Sequence, residues 1–389
     1  MKKSLFLFTD SFPYGNGEQY LNEEFRLLET IFSNIYVIPV NILDKKRVGF
    51  EHVNVINIEQ EIKIRKSTLI YNLYRYINLL RFELAPMNLE NIKTIHHANE
   101  NSEYIIDFIK KNGFKFQSIT IYSYWFYHSA LIASFIKKKH PQITAISRAH
   151  MGDVYDDIQT LKFPKLKFKN LDYVVTISNH AKNYLAKKFP ENSNKLKTSR
   201  LGVMDLGLNS NSGNENYFTI VTCSSVTKRK RLDKIADAIK LLKNNIKWVH
   251  FGDGDQMKKI KKRIDLLPEN IKVEFKGWVP NNQVLEYYQK NKVDLFVNIS
   301  LLEGIPVSIM EAISFGIPIL AYNVYALDEI VNEINGVLLP VESDSDEIAI
   351  CLEKIMKSSF SSERIKQNWK ENYFALKNYS SFIDKYLNT

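Results

Sequence analysis

Apolar residues along this chain fall into short, dense runs separated by longer stretches with helical spacing. In the first half the dense runs lie at 5–8, 35–40, 118–122, 145–148 and 173–177. That is the pattern of strands buried on both faces. Between them, 19–32, 102–111, 128–138 and 179–188 carry apolar positions at helical intervals. The alternation predicts a parallel sheet covered by helices. Residues 204–216 are rich in Asn, Ser and Gly and lack periodicity, so they read as a linker. Alternation then restarts, with strands at 219–223, 247–251, 272–276, 293–299 and 319–321 and helices at 232–243, 255–266, 283–290 and 307–315. The tail at 361–389 is helical in pattern, with Trp369, Tyr373, Leu376, Tyr379 and Phe382 as its apolar points. Two α/β domains joined in this way imply a cleft at the carboxyl ends of their strands, where open parallel sheets bind ligands.

Composition narrows the picture. At 389 residues, two domains are the default. A hydrophobic content of 45% with 25% charged residues is ordinary for a globular protein. The net charge of +10 favours an anionic partner: nucleic acid, a phosphorylated ligand or an anionic membrane surface. Two cysteines, Cys223 and Cys351, suggest no disulfide framework and a reducing compartment. No apolar run approaches the roughly 18–20 residues of a membrane span, and the first run reads as a buried strand. The expected location is the cytoplasm, with peripheral contact to the inner face of the cell membrane as an extension of that reading. Residues 63–81 mix basic positions with Leu, Ile and Tyr and contain no acid. They suit either a face on an anionic membrane or a packed helix with a basic outer side.

The chemistry concentrates in the stretch after the strand at 293–299. There Glu303-Gly304-Ile305-Pro306-Val307 forms a turn leading into a helix that carries Glu311. Unpaired N–H groups at such a helix start make an anion site. Carboxylates beside it are out of place for a bare phosphate and suited to a ligand that also carries sugar hydroxyls. A nucleotide-sugar site is the working expectation. Four consecutive basic residues, Lys228, Arg229, Lys230 and Arg231, follow the strand at 219–223 and suit a diphosphate; a solvated basic turn is the plainer alternative. Gly15 and Gly17 follow the first strand and allow close backbone approach to a ligand, although no full G-x-G-x-x-G is present. Gly252 and Gly254 follow the strand at 247–251 and would let a flat base pass the backbone, or simply make a turn. His150 stands at the end of the strand at 145–148, where it suits contact with a sugar hydroxyl or a developing charge. Asp153 would orient it or cap a helix.

Taken in order, these residues resemble the family 4 glycosyltransferases, retaining enzymes of the GT-B architecture with two facing Rossmann-like domains. The resemblance rests on Phe12-Pro13-Tyr14-Gly15-Asn16-Gly17-Glu18, Ser123-Tyr124-Trp125, Arg148-Ala149-His150, Thr176-Ile177-Ser178, Leu201-Gly202-Val203, Lys230, Phe251-Gly252-Asp253-Gly254 and, above all, Glu303-Gly304-Ile305-Pro306-Val307-Ser308-Ile309-Met310-Glu311-Ala312. It implies an acceptor-binding domain at 1–203, a linker at 204–216, a nucleotide-sugar-binding domain at 217–372 and a C-terminal helix at 373–389 returning to the first domain. By the same resemblance Glu303 contacts donor sugar hydroxyls, and the backbone of Gly304, Ile305, Pro306 and Val307 meets sugar and diphosphate. Glu311 holds the ribose, Lys230 with Arg229 takes the phosphates, and His150 contacts the donor sugar near the reacting carbon. The loop at Gly15 and Gly17 lies over the phosphates and acceptor, and Gly252 and Gly254 belong to the donor site. No cofactor and no metal are implied; the basic loop does a metal's electrostatic work. The implied partners are a nucleotide-diphosphate sugar, a UDP-sugar first among them, and a saccharide acceptor, lipid-linked, in bacterial surface-polysaccharide synthesis. Two positions depart from the family pattern. Ser225 stands where an arginine is frequent, and Tyr325 lies in a loop where Gly-Gly is frequent.

Two rivals share some of these features. A GT-B sugar-nucleotide epimerase would use the same donor pocket with additional acid/base residues and no acceptor groove. A basic nucleic-acid-binding protein would explain the charge, but no helix-turn-helix, zinc or aromatic RNA-binding signature is present.

Overall fold

In a computed structural model, residues 3–15, 17–43, 45–58, 72–210 and 216–388 are described. They divide into two compact units, residues 1–201 with 376–389, and residues 202–375.

The first unit is built on a seven-stranded parallel sheet of order β3-β2-β1-β4-β5-β6-β7. In chain order it comprises β1 (Ser4–Thr9), α1 (Leu21–Ile31), β2 (Asn34–Pro39), β3 (Asn54–Val55), α2 (Leu73–Glu83), α3 (Leu89–Lys111), β4 (Ile119–Ser123), α4 (His128–Lys139), β5 (Thr144–Ala149), α5 (Pro164–Asn170), β6 (Tyr173–Thr176), α6 (Asn179–Lys188) and β7 (Leu196–Thr198). Every residue of β1 and β4 is buried, as continuous apolar strands in the middle of a helix-covered sheet must be. Chain direction across the sheet reverses between β1 and β4, which are hydrogen-bonded neighbours. Loops leaving such a pair diverge and open a crevice at the strands' carboxyl ends.

The second unit repeats this plan with six parallel strands in the order β10-β9-β8-β11-β12-β13. Its elements are β8 (Phe218–Cys223), α7 (Leu232–Ile239), β9 (Ile246–Phe251), α8 (Met257–Ile264), β10 (Ile271–Gly277), α9 (Asn281–Lys290), β11 (Leu295–Asn298), α10 (Val307–Ser314), β12 (Ile319–Tyr322), β13 (Gly336–Leu339), α11 (Ser345–Met356) and α12 (Ser362–Tyr373). The reversal falls between β8 and β11, paired through Ile220 with Leu295 and Val221 with Phe296.

The stretch expected as a linker at 204–216 is, over its described part, held to the second unit. The Asn209 amide donates to the carbonyls of Tyr288 (2.6 Å) and Asn291 (2.9 Å), and its oxygen accepts from Val293 N–H (2.9 Å). The tail is two helices rather than one. It breaks at Phe374, whose backbone bridges Val203, and continues as α13 (Ala375–Phe382). Residues 376–389 belong to the first unit, where Phe382, Ile383 and Leu387 are fully buried.

The first unit also has a polar centre. Arg148 and Glu24 are both fully buried and ion-paired at 3.3 Å; Tyr122 Oη donates to Glu24 Oε1 (2.8 Å) and accepts from Arg148 Nε (2.9 Å). The Arg148 guanidinium lies 4.0 Å from the centre of the Phe382 ring. Arg148 stands beside His150 in sequence but is a structural cation sealed by the C-terminal tail. Of the basic stretch at 63–81, residues 63–71 lie outside the described residues; the remainder leads into and forms most of α2. Among the described residues no helix is long and apolar enough to cross a membrane.

Candidate functional site

Two loops meet at the reversal point of the second unit. After β8 the chain makes a short 3-10 turn at Lys228–Lys230, and Arg231 takes a left-handed conformation (φ 52) before α7. After β11 the chain runs through 300–306 into α10. Leu301 N–H donates to the Arg229 carbonyl (3.0 Å), tying the loops together through backbone. Across this tie the Lys230 ammonium is hydrogen-bonded to Glu303 Oε1, with side chains only 13% and 14% exposed. The expected separate duties of Lys230 and Glu303 therefore sit on a contacting pair. Arg229 is fixed by its carbonyl, and Arg231 pairs with Asp233 at 3.4 Å.

The start of α10 is open. Pro306 is its N-cap residue and supplies no side-chain cap. Ile305 and Pro306 are buried and anchor the turn, while Gly304 and Val307 are half-buried. The N–H groups of Gly304, Ile305 and Val307 meet no acceptor among the described residues. Pro306 has no N–H, so it serves as the turn's rigid element and not as a donor. One turn into α10, Glu311 is 6% exposed and accepts from the Asn281 amide at 2.8 Å. Burial pushes its carboxyl up to about 7, with the Asn281 hydrogen bond opposing. Cys223, at the end of β8, is pushed up to about 12 by burial and by Glu311, against Lys230. The structure thus gathers Lys230, Glu303, the 304–307 backbone and Glu311 around the β8–β11 reversal.

Gly252 and Gly254 have a different reason to be glycine from the one expected. A Cβ on Gly252 (φ 134) would stand 1.8 Å from the Ser224 carbonyl oxygen, and one on Gly254 would stand 2.5 Å from that of Val226. The loop after β8 lies directly on the side of these glycines where a Cβ would project. The same segment, Asp253-Gly254-Asp255, has an Asp-x-Asp spacing. Both carboxylates are exposed and locally engaged: Asp253 accepts from Gly254 N–H (2.7 Å) and Asp255 from the Gln256 amide (2.6 Å). Among the described residues no group of three or more His, Cys, Asp or Glu side chains is placed to hold a metal.

In the first unit, the loop after β1 is organised from within. Glu18 (φ 49) turns its carboxylate back to accept from the N–H groups of Asp10 (2.9 Å), Ser11 (2.9 Å) and Phe12 (2.7 Å) and from Trp125 Nε1 (2.6 Å). Arg47 donates to the carbonyls of Gly15 (2.6 Å), Gly17 and Glu18 (3.3 Å). The N–H groups of residues 10–12 are thus taken by Glu18, and α1 begins at Leu21. Gly15 is left-handed (φ 57), and its Cβ position would clash with Leu43 at 2.6 Å.

His150 follows β5 and is 5% exposed. Its ring lies 4.4 Å from that of Trp125 and 5.0 Å from that of Tyr124, and neither ring nitrogen has a hydrogen-bond partner among the described residues. Burial next to Arg148 holds the imidazole neutral, well below the usual histidine range. Asp153 does not orient that ring. Its carboxylate accepts from the backbone N–H groups of His150 (2.5 Å) and Phe126 (2.5 Å), fixing the chain around the histidine. Arg47 and Asn281 were not anticipated as site residues, because their partners lie about thirty positions away in sequence, and Glu18 was not because a carboxylate folded back on its own loop has no fixed spacing.

Residues 208–372 match the family model of glycosyl transferases group 1. Among curated proteins, the chain is 24% identical over 220 residues to the GtfA subunit of a UDP-N-acetylglucosamine–peptide N-acetylglucosaminyltransferase of Streptococcus gordonii, covering 54% of this chain and 42% of that one. It is 33% identical over 132 residues to the O-antigen biosynthesis glycosyltransferase WbnH of Escherichia coli, covering 33% of this chain and 35% of the relative. The chain thus spans less than half the length of these curated relatives. Its fold resembles that of Anabaena HepE, solved in complex with UDP, with a TM-score of 0.70 at 14% identity over the whole of both chains. The GT-B expectation holds in the two helix-flanked parallel sheets and in this whole-chain likeness. The second unit thus carries a group 1 glycosyl transferase domain, and the chain has the fold of the GT-B glycosyltransferases.

Proposed function

We propose that the chain transfers a sugar, with retention, from a UDP-sugar to a saccharide acceptor that is lipid-linked, in bacterial surface-polysaccharide synthesis. The observation that carries the reading is the Lys230–Glu303 pair beside the uncapped start of α10. It offers one cation and a set of free N–H groups for a diphosphate, and one carboxylate for hydroxyls, within a single loop pair. Glu311, buried and hydrogen-bonded to Asn281, is suited to the two hydroxyls of a ribose. The UDP carried by HepE and the O-antigen role of WbnH support the choice of donor and setting.

In this reading the donor phosphates are neutralised by Lys230 and helix N–H groups with no metal required. Neither Glu303 nor Glu311 is assigned as a nucleophile. Retention then follows from same-face attack, in which the acceptor hydroxyl forms the new bond as the sugar–phosphate bond breaks and its proton passes to the leaving phosphate. The neutral, unpaired imidazole of His150 is available to a sugar hydroxyl.

The test is incubation with a panel of UDP-sugars, with and without lipid-linked saccharide acceptors, followed by analysis of the sugar products. Acceptor-dependent release of UDP with a retained linkage supports the reading. Epimerised sugar nucleotide in the absence of acceptor supports an epimerase instead, and a glycosyl-enzyme adduct detected by mass spectrometry would overturn same-face attack.

A further inference from the structure

The first unit contains a 480 Å³ cavity that no step of the proposed reaction uses, and it is within the size range of small-molecule sites. It opens where α4 begins after β4 and where the chain passes from β5 to α5, on the carboxyl side of the sheet. Its wall carries Lys93, Lys162 and Lys167 against one acid, Glu90, together with His97 and His128. Glu90 engages Lys162 at 2.5 Å, and Lys93 makes no ion pair among the described residues. Burial keeps His128 neutral, with its imidazole lowered to about 4. Lys167 is 1% exposed and donates to the Phe126 carbonyl at 2.6 Å. The α4 N-terminus at His128 has no side-chain cap and adds its positive dipole end to this charge. Burial lowers the Lys167 ammonium to about 7, so the balance rests on Lys93 and Lys162 against Glu90 and favours an anion.

A second observation gives the rest of the ligand. The chain between α2 and α3, immediately before Glu90 and Lys93, exposes Leu84 (81%), Met87 (60%) and Leu89 (60%) in succession. Three large apolar side chains so exposed within six residues form a patch rather than the usual scatter. The patch is fixed in place because Glu83 accepts from the Lys165 (3.2 Å) and Leu166 N–H groups at the start of α5, whose Lys167 lines the cavity. Tyr127, another lining residue, stacks on Trp125, which lies against His150. The cavity thus adjoins the aromatic cluster that holds the histidine.

We propose that this cavity seats the phosphate of a lipid-linked acceptor, with the lipid's apolar chain along the rim at 82–89. Lys93 and Lys162 bind the phosphate oxygens, and Glu90 releases Lys162 as it does so. The assignment rests on the glycosyltransferase reading and names the acceptor's chemical class.

The experiment is calorimetric titration of the full chain with farnesyl phosphate, farnesol, inorganic phosphate and UDP, with melting temperature as a fold control. Farnesyl phosphate is expected to bind at least about tenfold more tightly than farnesol or inorganic phosphate, and Lys93→Gln with Lys162→Gln is expected to remove about that margin. Leu84→Ser with Leu89→Ser is expected to weaken farnesyl phosphate and leave UDP binding unchanged. If UDP binds while farnesyl phosphate does not, or binds the lysine variant as well as the parent chain, the cavity assignment fails and the donor reading stands. If UDP does not bind, the donor reading fails and the acceptor assignment goes with it. Capture by phosphatidylglycerol vesicles without binding of monomeric farnesyl phosphate would make the patch a bilayer contact and overturn the assignment.

Discussion

The Lys230 ammonium rests on the Glu303 carboxylate, joining the loop after β8 to the loop after β11 where the second sheet reverses direction. A ligand that takes either group must part them. On the proposed reading Glu303→Ala removes a contact to the reacting sugar, and it is expected to lower sugar transfer by about 100-fold or more while leaving the fold intact. Lys230→Met is expected to weaken UDP binding by about tenfold or more, as lost charge-assisted bonds to phosphate do. Calorimetry with UDP and a transfer assay read the two effects separately. Full activity in Glu303→Ala would remove Glu303 from the donor site.

Glu311 gives a pH signature. Its carboxyl is raised from 4.5 to about 7 by burial. Between those values the folded chain holds a proton that the unfolded chain has lost, so this group's contribution to stability falls as pH rises and levels off above about 7. Glu311→Gln is expected to match the parent near pH 4 and to exceed it at pH 8 by roughly 3 kcal/mol at most. UDP affinity should rise with pH through about 7 in the parent, as the carboxylate becomes a stronger acceptor for hydroxyls, and stay flat in the variant. Chemical denaturation and calorimetry across pH 4–8 test both. A flat UDP profile in the parent would argue against a ribose on Glu311.

Glu18 organises the loop after β1 through three backbone N–H groups and Trp125. Glu18→Ala strands these donors and is expected to destabilise the chain by about 2–4 kcal/mol. Limited proteolysis should gain a cleavage site between residues 10 and 18. Protection equal to that of the parent would show that Arg47 alone holds the loop.

Gly252 and Gly49 separate backbone conformation from crowding. Both have positive φ, but a Cβ on Gly49 meets nothing within 4 Å, whereas one on Gly252 stands 1.8 Å from the Ser224 oxygen. Gly49→Ala is expected to cost about 1 kcal/mol and Gly252→Ala more than about 3 kcal/mol, measured by denaturant unfolding. Equal losses would mean that the loop after β8 yields without penalty.

The central strands were legible because strands buried on both faces must be apolar throughout. Edge strands β3, β7 and β13 were not, since two to four residues at a margin carry little pattern. Helix α3 is 23 residues long, yet only its second half showed helical spacing. The buried face of its first half carries His96 and Asn99, which meet Tyr76 and Lys139 from other helices, so the polar letters concealed an inward face. The donor-loop residues were readable from the strand–turn–helix pattern around Glu303. Their pairing was not: Lys230 lies 73 positions earlier and meets Glu303 only because β8 and β11 are neighbours. The crowding at Gly252 likewise depends on a contact between loops, which no local spacing encodes.

The Lys230–Glu303 contact also bears on turnover. On the donor-binding reading, an intact UDP-sugar compensates both partners of the broken ion pair, one with phosphate and the other with sugar hydroxyls. The spent nucleotide can satisfy only the lysine and leaves the glutamate without a hydroxyl. Reclosure of the pair then competes with the product's phosphate for the same ammonium. The site carries its own competitor against the leaving group, which favours exchange of spent nucleotide for fresh donor.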